Sequence, residues 1–340
     1  MLAVASLVEL DRHVTRARHP ENQTRLPAAM GGVMDAGLGD SIVEVKIASA
    51  TIDDAARVHD RKYLDHLQMF CQAGGGRIDP DTDASLGSWD TAMAAAGAGL
   101  ATIETLKRGE ARSGLVLVRP PGHHALTSHS MGFCLLNNIA IAAASLTAQG
   151  ERVLIVDWDV HHGNGTQDIF WNHPEVLFVS SQLEDHWPFS GKVDETGGMR
   201  SPGGTINFPL PHGATGDVLL RGLDEVVAPA VDQFKPTWVL VSAGFDSHRD
   251  DPLGGLGFSA GDFALFARRL QEFAPQPSRT VLFLEGGYDL EALRSSVNAT
   301  VSELCGSPNP IEAPTSGGHG AHVIEAAKKA HIMATQANPS

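Results

Sequence analysis

The chain has 340 residues and carries 25 Lys and Arg against 40 Asp and Glu, a formal charge of −15 with its 16 histidines taken as neutral. Its basic residues are scattered, with no run longer than the Lys328-Lys329 pair. This excludes nucleic acid as a direct ligand, because gripping a phosphate backbone relies on clustered Lys and Arg. The acidity serves solubility first and attraction of a cationic substrate second.

From the N-terminus, residues 1–12 are apolar but lack a basic segment ahead of the apolar one and reach a charge at Glu9, so no secretory leader is predicted. The stretch before His13 does not read as a strand that would open an α/β fold. Helical features then run from Trp89 to Lys107, followed by a strand-like run from Leu115 to Val118. The alternation continues with a helix over Asn138–Ala148, strands over Val153–Val156 and Val176–Val179, and a helix over Gly216–Phe234. A strand over Trp238–Val241, a helix over Ser259–Phe273 with Ser259 and Asp262 at its start, and a strand over Val281–Leu284 complete the pattern. Strands alternating with helices predict one parallel β-sheet flanked by helices on both faces. One domain is expected to about residue 306. A tail over residues 307–340, rich in turn residues, leads to a helix over Ala321–Ala334 that is expected to pack on the domain. No apolar run approaches the roughly 18 residues that cross a bilayer, so no membrane association is predicted. Cysteines at 71, 134 and 305 form no CxxC pair, which fits a reducing cytoplasm.

Each strand runs directly into residues suited to chemistry, and the carboxyl ends of strands form the ligand crevice of open α/β sheets. The loops are Arg119–His124, Asp157–Gly165, Ser180-Ser181, Ala243–His248 and Glu285–Tyr288. Asp159 and His161, two residues apart in an extended segment, present a carboxylate and an imidazole on one side, and Asp246 supplies a third ligand from the fourth strand's loop. Two carboxylates and one imidazole leave a zinc position open, as in catalytic rather than structural sites. The plainer reading, that Asp157 and Asp159 open turns and the histidines are loop polars, loses ground because five loops converge. His123 and His124 are proton-transfer candidates, with Asp157 and Asn164 as partners able to give the rings different charge. Tyr288, after Gly286-Gly287, is placed to donate a hydrogen bond to a developing oxyanion.

Six segments in fixed order carry a family resemblance. They are Arg-Pro-Pro-Gly-His-His-Ala (119–125), Gly-Phe-Cys-Leu-Leu-Asn-Asn (132–138), Val-Asp-Trp-Asp-Val-His-His-Gly-Asn-Gly-Thr-Gln (156–167), Ser-Ala-Gly-Phe-Asp-Ser-His (242–248), Asp-Pro-Leu-Gly-Gly (251–255) and Glu-Gly-Gly-Tyr (285–288). With residues 19–26, they resemble the histone deacetylase superfamily over about residues 13–305, most closely its class II and bacterial amidohydrolase branch, which includes acetylpolyamine amidohydrolases. The resemblance implies an arginase/deacetylase-like α/β fold and one catalytic zinc bound by Asp159, His161 and Asp246. It further implies proton transfer by His123, paired with Asp157, and by His124, paired through Asn164, with Tyr288 polarising the amide carbonyl. A structural potassium ion held through Asp157, Asp159, His161 and Ser180 is implied as well. Phe133 and Trp187 match the aromatics of the family's acyl-lysine tunnel, whose wall also takes in Gly132, Leu253 and Gly286. The stretch Leu183–Pro188 departs from the usual Phe-Pro form.

Acylated amines are thus the implied substrates. Leu253 stands where polyamine specialists carry an acidic gatekeeper, which ranks acyl-lysine first and acetylpolyamine as the alternative, although Glu184-Asp185 could draw in a cation. A binuclear manganese hydrolase of arginase type needs further carboxylates where this chain has Gly163 and His248. A catalytically silent acyl-binding module would lack a ligand, a histidine or the tyrosine, and all are present. Oligomeric state, a homo-oligomer included, is not legible.

Overall fold

The computed structural model describes residues 1–309 and 311–336; residue 310 and residues 337–340 of the tail lie outside the described part. Among the described residues ten strands occur in chain order: β1 Leu2–Ser6, β2 Ile42–Glu44, β3 Gly75–Arg77, β4 Asp83–Ser85, β5 Ser113–Leu117, β6 Val153–Asp157, β7 Val176–Leu183, β8 Thr205–Leu210, β9 Trp238–Ala243 and β10 Thr280–Leu284. Eight form one sheet in the order β2-β1-β5-β10-β9-β6-β7-β8. Every neighbouring pair in it is parallel. β3 and β4 form a separate antiparallel pair.

The inner strands are buried along their whole length, as their unbroken Val, Leu and Ile runs require of strands covered on both faces. Helices Ser88–Lys107 and Asn138–Thr147 pack together on one side, and helices Arg25–Asp35, Ala260–Phe273 and Leu290–Leu304 form the other group. The α/β reading of the sequence is correct, and two local expectations need correction. The N-terminus does open the fold with a strand: β1 sits between β2 and β5, with Leu2, Ala3, Val4 and Ala5 buried. The segment expected as one helix over 216–234 is helical throughout but contains a π-helical turn at Leu223–Val227 between α-helices Gly216–Gly222 and Ala228–Phe234. The tail helix Ala321–Gln336 lies against β8 and the π turn, burying Val323, Ile324 and Ala327. Among the described residues, no helix is long and apolar enough to cross a membrane.

The chain passes from β5 out to β6, β7 and β8, then returns to fill the centre with β9 and β10. This reversal puts the carboxyl ends of β5, β6, β9 and β10 side by side, at the point where such sheets hold ligands.

Candidate functional site

From Asp157, the last residue of β6, onward, Asp157, Asp159 and His161 alternate with Trp158 and Val160. Trp158 is fully buried and packs with Phe245, Phe263 and Phe266. That aromatic cluster anchors the segment from behind while its carboxylates face the crevice. Asp246 follows Phe245 in the loop after β9, and its Oδ1 accepts the Val160 N–H at 2.9 Å. One ligand atom each from Asp159, His161 and Asp246 lies within 4.8 Å of the others. His161 Nδ1 is 3.1 Å from Asp159 Oδ1 and 3.2 Å from Asp246 Oδ2. Burial and the charge of Asp159 push the Asp246 carboxyl up to about 7, so both acids would stay ionised together only beside a cation. Gly286 makes room for it: a Cβ there would stand 2.0 Å from Asp246 Oδ2 and 2.7 Å from Asp159 Oδ2.

His123 and His124, beyond β5, meet at a tilt of 42° with ring centroids 3.9 Å apart. His123 Nδ1 lies 2.9 Å from Asp157 Oδ2, and His124 Nδ1 lies 2.7 Å from Asn164 Oδ1. Each partner is an acceptor, so each Nδ1 carries the proton, and the difference in partner charge separates the rings. Burial works against a charged His123, but Asp157, Asp159 and Glu285 outweigh it and raise its pKa well above that of free histidine. For His124, burial and then the positive neighbours His123 and His161 lower the pKa well below the ordinary value. One ring is therefore a cation and the other a neutral base with Nε2 free to accept.

Tyr288 completes the group from the loop after β10. Its backbone N–H donates to Asp251 Oδ2 at 2.6 Å, and the Arg25 guanidinium lies 5.0 Å from its ring centroid. Burial and the charges of Asp246 raise the phenol well above its usual pKa, keeping it protonated and a donor. His123, His124, His161 and Tyr288 border one cavity of about 370 Å³, with Asp159 and Asp246 held against His161. Its walls include Gly132, Phe133, Trp187, Leu253 and Gly286, each of the expected tunnel residues. Phe133, at φ 67°, takes a left-handed backbone that is costly for an aromatic residue. Trp187 meets His124 edge-on at 4.7 Å.

Two lining residues went unread in the sequence. His186 stacks on His161 with centroids 5.1 Å apart, and Asp81, beside Asp79, is the carboxylate bordering the cavity among the described residues. Glu184 and Asp185, expected at the mouth, are exposed and do not line it. A run of turn residues, Asp79-Pro80-Asp81, was the one available signal for the first acid pair. A third unread feature is Glu285, a fully buried carboxyl pushed up to about 7 by burial, although the charge of His123 opposes the shift.

A protonated phenol, a neutral imidazole beside a cationic one and a cation-seeking carboxylate pair are together suited to splitting an amide, and comparison with known proteins agrees. The histone deacetylase domain matches residues 19–304, which makes this chain a hydrolase acting on amide bonds. It belongs to the histone deacetylase family. Similar proteins include histone deacetylase 10, chloroplastic, of Oryza sativa subsp. japonica, 39% identical over 86% of this chain and 70% of that one. A probable deacetylase of Archaeoglobus fulgidus is 38% identical over 82% of this chain and 79% of its own. The histone deacetylase-like amidohydrolase of Pseudomonas aeruginosa is 32% identical, covering 92% and 83%. The crystal structure of the HDA15 HD domain superposes with a TM-score of 0.89 at 32% identity, covering 98% of this chain and 94% of that one.

Proposed function

We propose that the chain is a zinc-dependent deacetylase that removes acetyl or other short acyl groups from acylated amines, acyl-lysine first and acetylpolyamines as the alternative. The observation that carries this reading is a single cavity bordered by His123, His124, His161 and Tyr288, with Asp159 and Asp246 clustered at His161. Two carboxylates and one imidazole are a suitable donor set for one zinc ion with a position left open. A binuclear manganese site would need a carboxylate where this chain has His248, whose Nε2 lies 3.1 Å from Glu312 Oε2. Ser180 Oγ is buried without a hydrogen-bond partner, in keeping with an oxygen reserved, alongside Asp157, Asp159 and His161, for a potassium ion.

When bound, zinc would polarise the amide carbonyl and acidify water at the open position. The chain's own groups divide the remaining work. His124, neutral and oriented by Asn164, accepts the proton of the attacking water through Nε2 and can return it to the departing amine. His123, held cationic by Asp157, contributes positive charge close to the reacting carbonyl. Tyr288 donates a hydrogen bond from its phenol to the oxygen that gains charge as the tetrahedral centre forms. Phe133 and Trp187 sheathe the acyl-bearing methylene chain and exclude water. Leu253 gives the mouth an apolar residue, which favours a methylene stem over a second ammonium. The buried thiols Cys71 and Cys134 suit a reducing cytoplasm.

Purified protein should be assayed in parallel on an acetyl-lysine peptide, acetylputrescine, acetylspermidine and longer acyl-lysines, with bound metal measured. We expect turnover on acyl-lysine and one zinc per chain. A strong preference for acetylpolyamines would reverse the substrate ranking, and zinc-loaded protein inert towards every amide would overturn the function.

A further inference from the structure

We propose that Glu285 is a positioning residue for the catalytic histidine loop, its buried carboxylate accepting hydrogen bonds from the backbone amides of Gly122 and His123. This rests on the deacetylase reading for its catalytic consequence, though not for its geometry. Glu285 follows directly on β10, and β10 lies beside β5 in the sheet, so its side chain reaches the loop that leaves β5. Its Oε2 accepts the Gly122 N–H at 2.7 Å and the His123 N–H at 3.2 Å. Glu285 is 1% exposed, and Ser242 Oγ donates to its Oε1 at 3.4 Å. A carboxylate so deeply buried is costly unless specific donors satisfy it, and the donors it has chosen are the two amides that set the start of the His123-His124 turn.

The same stretch of chain is fixed in another way that does not involve this side chain. Arg25 donates to the backbone oxygens of Glu285 and Gly287, both at 2.6 Å. The path of residues 285–287, and with it the start of the Tyr288 loop, is therefore held by Arg25, while the Glu285 carboxylate is committed to the histidine side of the cavity. Removing the carboxylate should loosen His123 and His124 and leave the Tyr288 arm in place. A glutamine can imitate the arrangement, because both loop amides converge on one oxygen, and its NH₂ would replace Oε1 facing Ser242 Oγ.

The test compares Glu285→Ala and Glu285→Gln with the parent chain, using kcat per folded, zinc-loaded chain, KM for an acetyl-lysine peptide, and amide NMR of Gly122 and His123. We expect Glu285→Ala to lower kcat by about 10–100-fold, the range for a lost supporting contact behind a reacting group, with KM within about threefold. Glu285→Gln should recover most of the loss. In the parent chain the Gly122 amide proton, bonded to a carboxylate, should resonate well downfield, and it should move upfield in Glu285→Ala. Unchanged kcat in folded Glu285→Ala, equal loss in the glutamine variant, or an ordinary Gly122 amide shift in the parent would each overturn the proposal. The last needs no variant to fold. A parent chain inactive on every acylated amine would instead fail the functional reading, while the NMR comparison still decides the role of Glu285 in holding the loop.

Discussion

Tandem histidines with identical side chains are made unlike by one atom in each partner, the charge-bearing oxygen of Asp157 and the neutral amide oxygen of Asn164. Asn164→Asp would give His124 a carboxylate as well, raising its pKa and protonating the base at neutral pH. The expected outcome is a fall in kcat/KM of about tenfold at pH 7, with the acidic limb of the profile moved to higher pH, so that activity returns as pH rises. An unmoved limb would remove His124 from the role of base. Tyr288→Phe takes away one donor to the developing oxyanion and should lower kcat by about 10²–10³ with zinc retained. Turnover unaffected in the zinc-loaded variant would place the phenol outside the mechanism. Asp246→Asn removes one of the two clustered carboxylates, and metal analysis after dialysis should find well under one zinc per chain. Full zinc occupancy would argue for a different ligand set.

Helix Ser88–Lys107 approaches its neighbours through glycine, and this gives a prediction whose sign runs against helix propensity. A Cβ at Gly97 would lie 1.9 Å from the Ala48 carbonyl oxygen and 2.7 Å from Ala50 N, both backbone atoms that cannot swing aside. Alanine favours a helix over glycine by about 1 kcal/mol, yet the clash should win and leave Gly97→Ala about 1–3 kcal/mol less stable in urea unfolding. A stabilised variant would mean that the loop over residues 48–50 yields freely. Strands β5, β6, β7, β9 and β10 were legible in the sequence because burial on both faces demands unbroken apolar runs. β1 was missed because Leu-Ala-Val-Ala-Ser is short and small-sided. β8 was missed because Pro209 interrupts its pattern, a residue an edge strand tolerates. The proposed ligands and proton-transfer groups were legible for the same reason as the inner strands, since each follows one directly. Asp81 and His186 come from loops whose course is set by tertiary contact alone, so nothing local announced them.

For the molecule as a whole, burial of neutral imidazoles couples stability to pH. His59 accepts the Asn137 N–H on Nε2 at 2.9 Å and has Nδ1 3.0 Å from the Leu126 carbonyl oxygen, so a second ring proton would face a donor. Burial lowers its pKa to about 4, against about 6.5 in an unfolded chain. Between those values the unfolded state binds the extra proton, so the His59 contribution is complete above about pH 6.5 and is lost as pH falls towards 4, up to about 3 kcal/mol in all. His13 is depressed to about 4 as well, by burial. The destabilisation caused by His59→Gln should therefore be smaller at pH 5 than at pH 7.5 in matched urea titrations. An equal or larger loss at pH 5 would contradict the assignment.

The placement of β10 has a consequence for synthesis. Residues 280–284 fill the gap between β5 and β9, so a chain growing from its N-terminus holds two partial sheets, β2-β1-β5 and β9-β6-β7-β8, with facing open edges, until those residues have been made. Unpaired inner edges are sites of wrong pairing. The strand that closes them also brings Glu285 and leads into Tyr288, so the cavity becomes complete only as the sheet does, and a nascent chain that stalls before residue 280 holds neither.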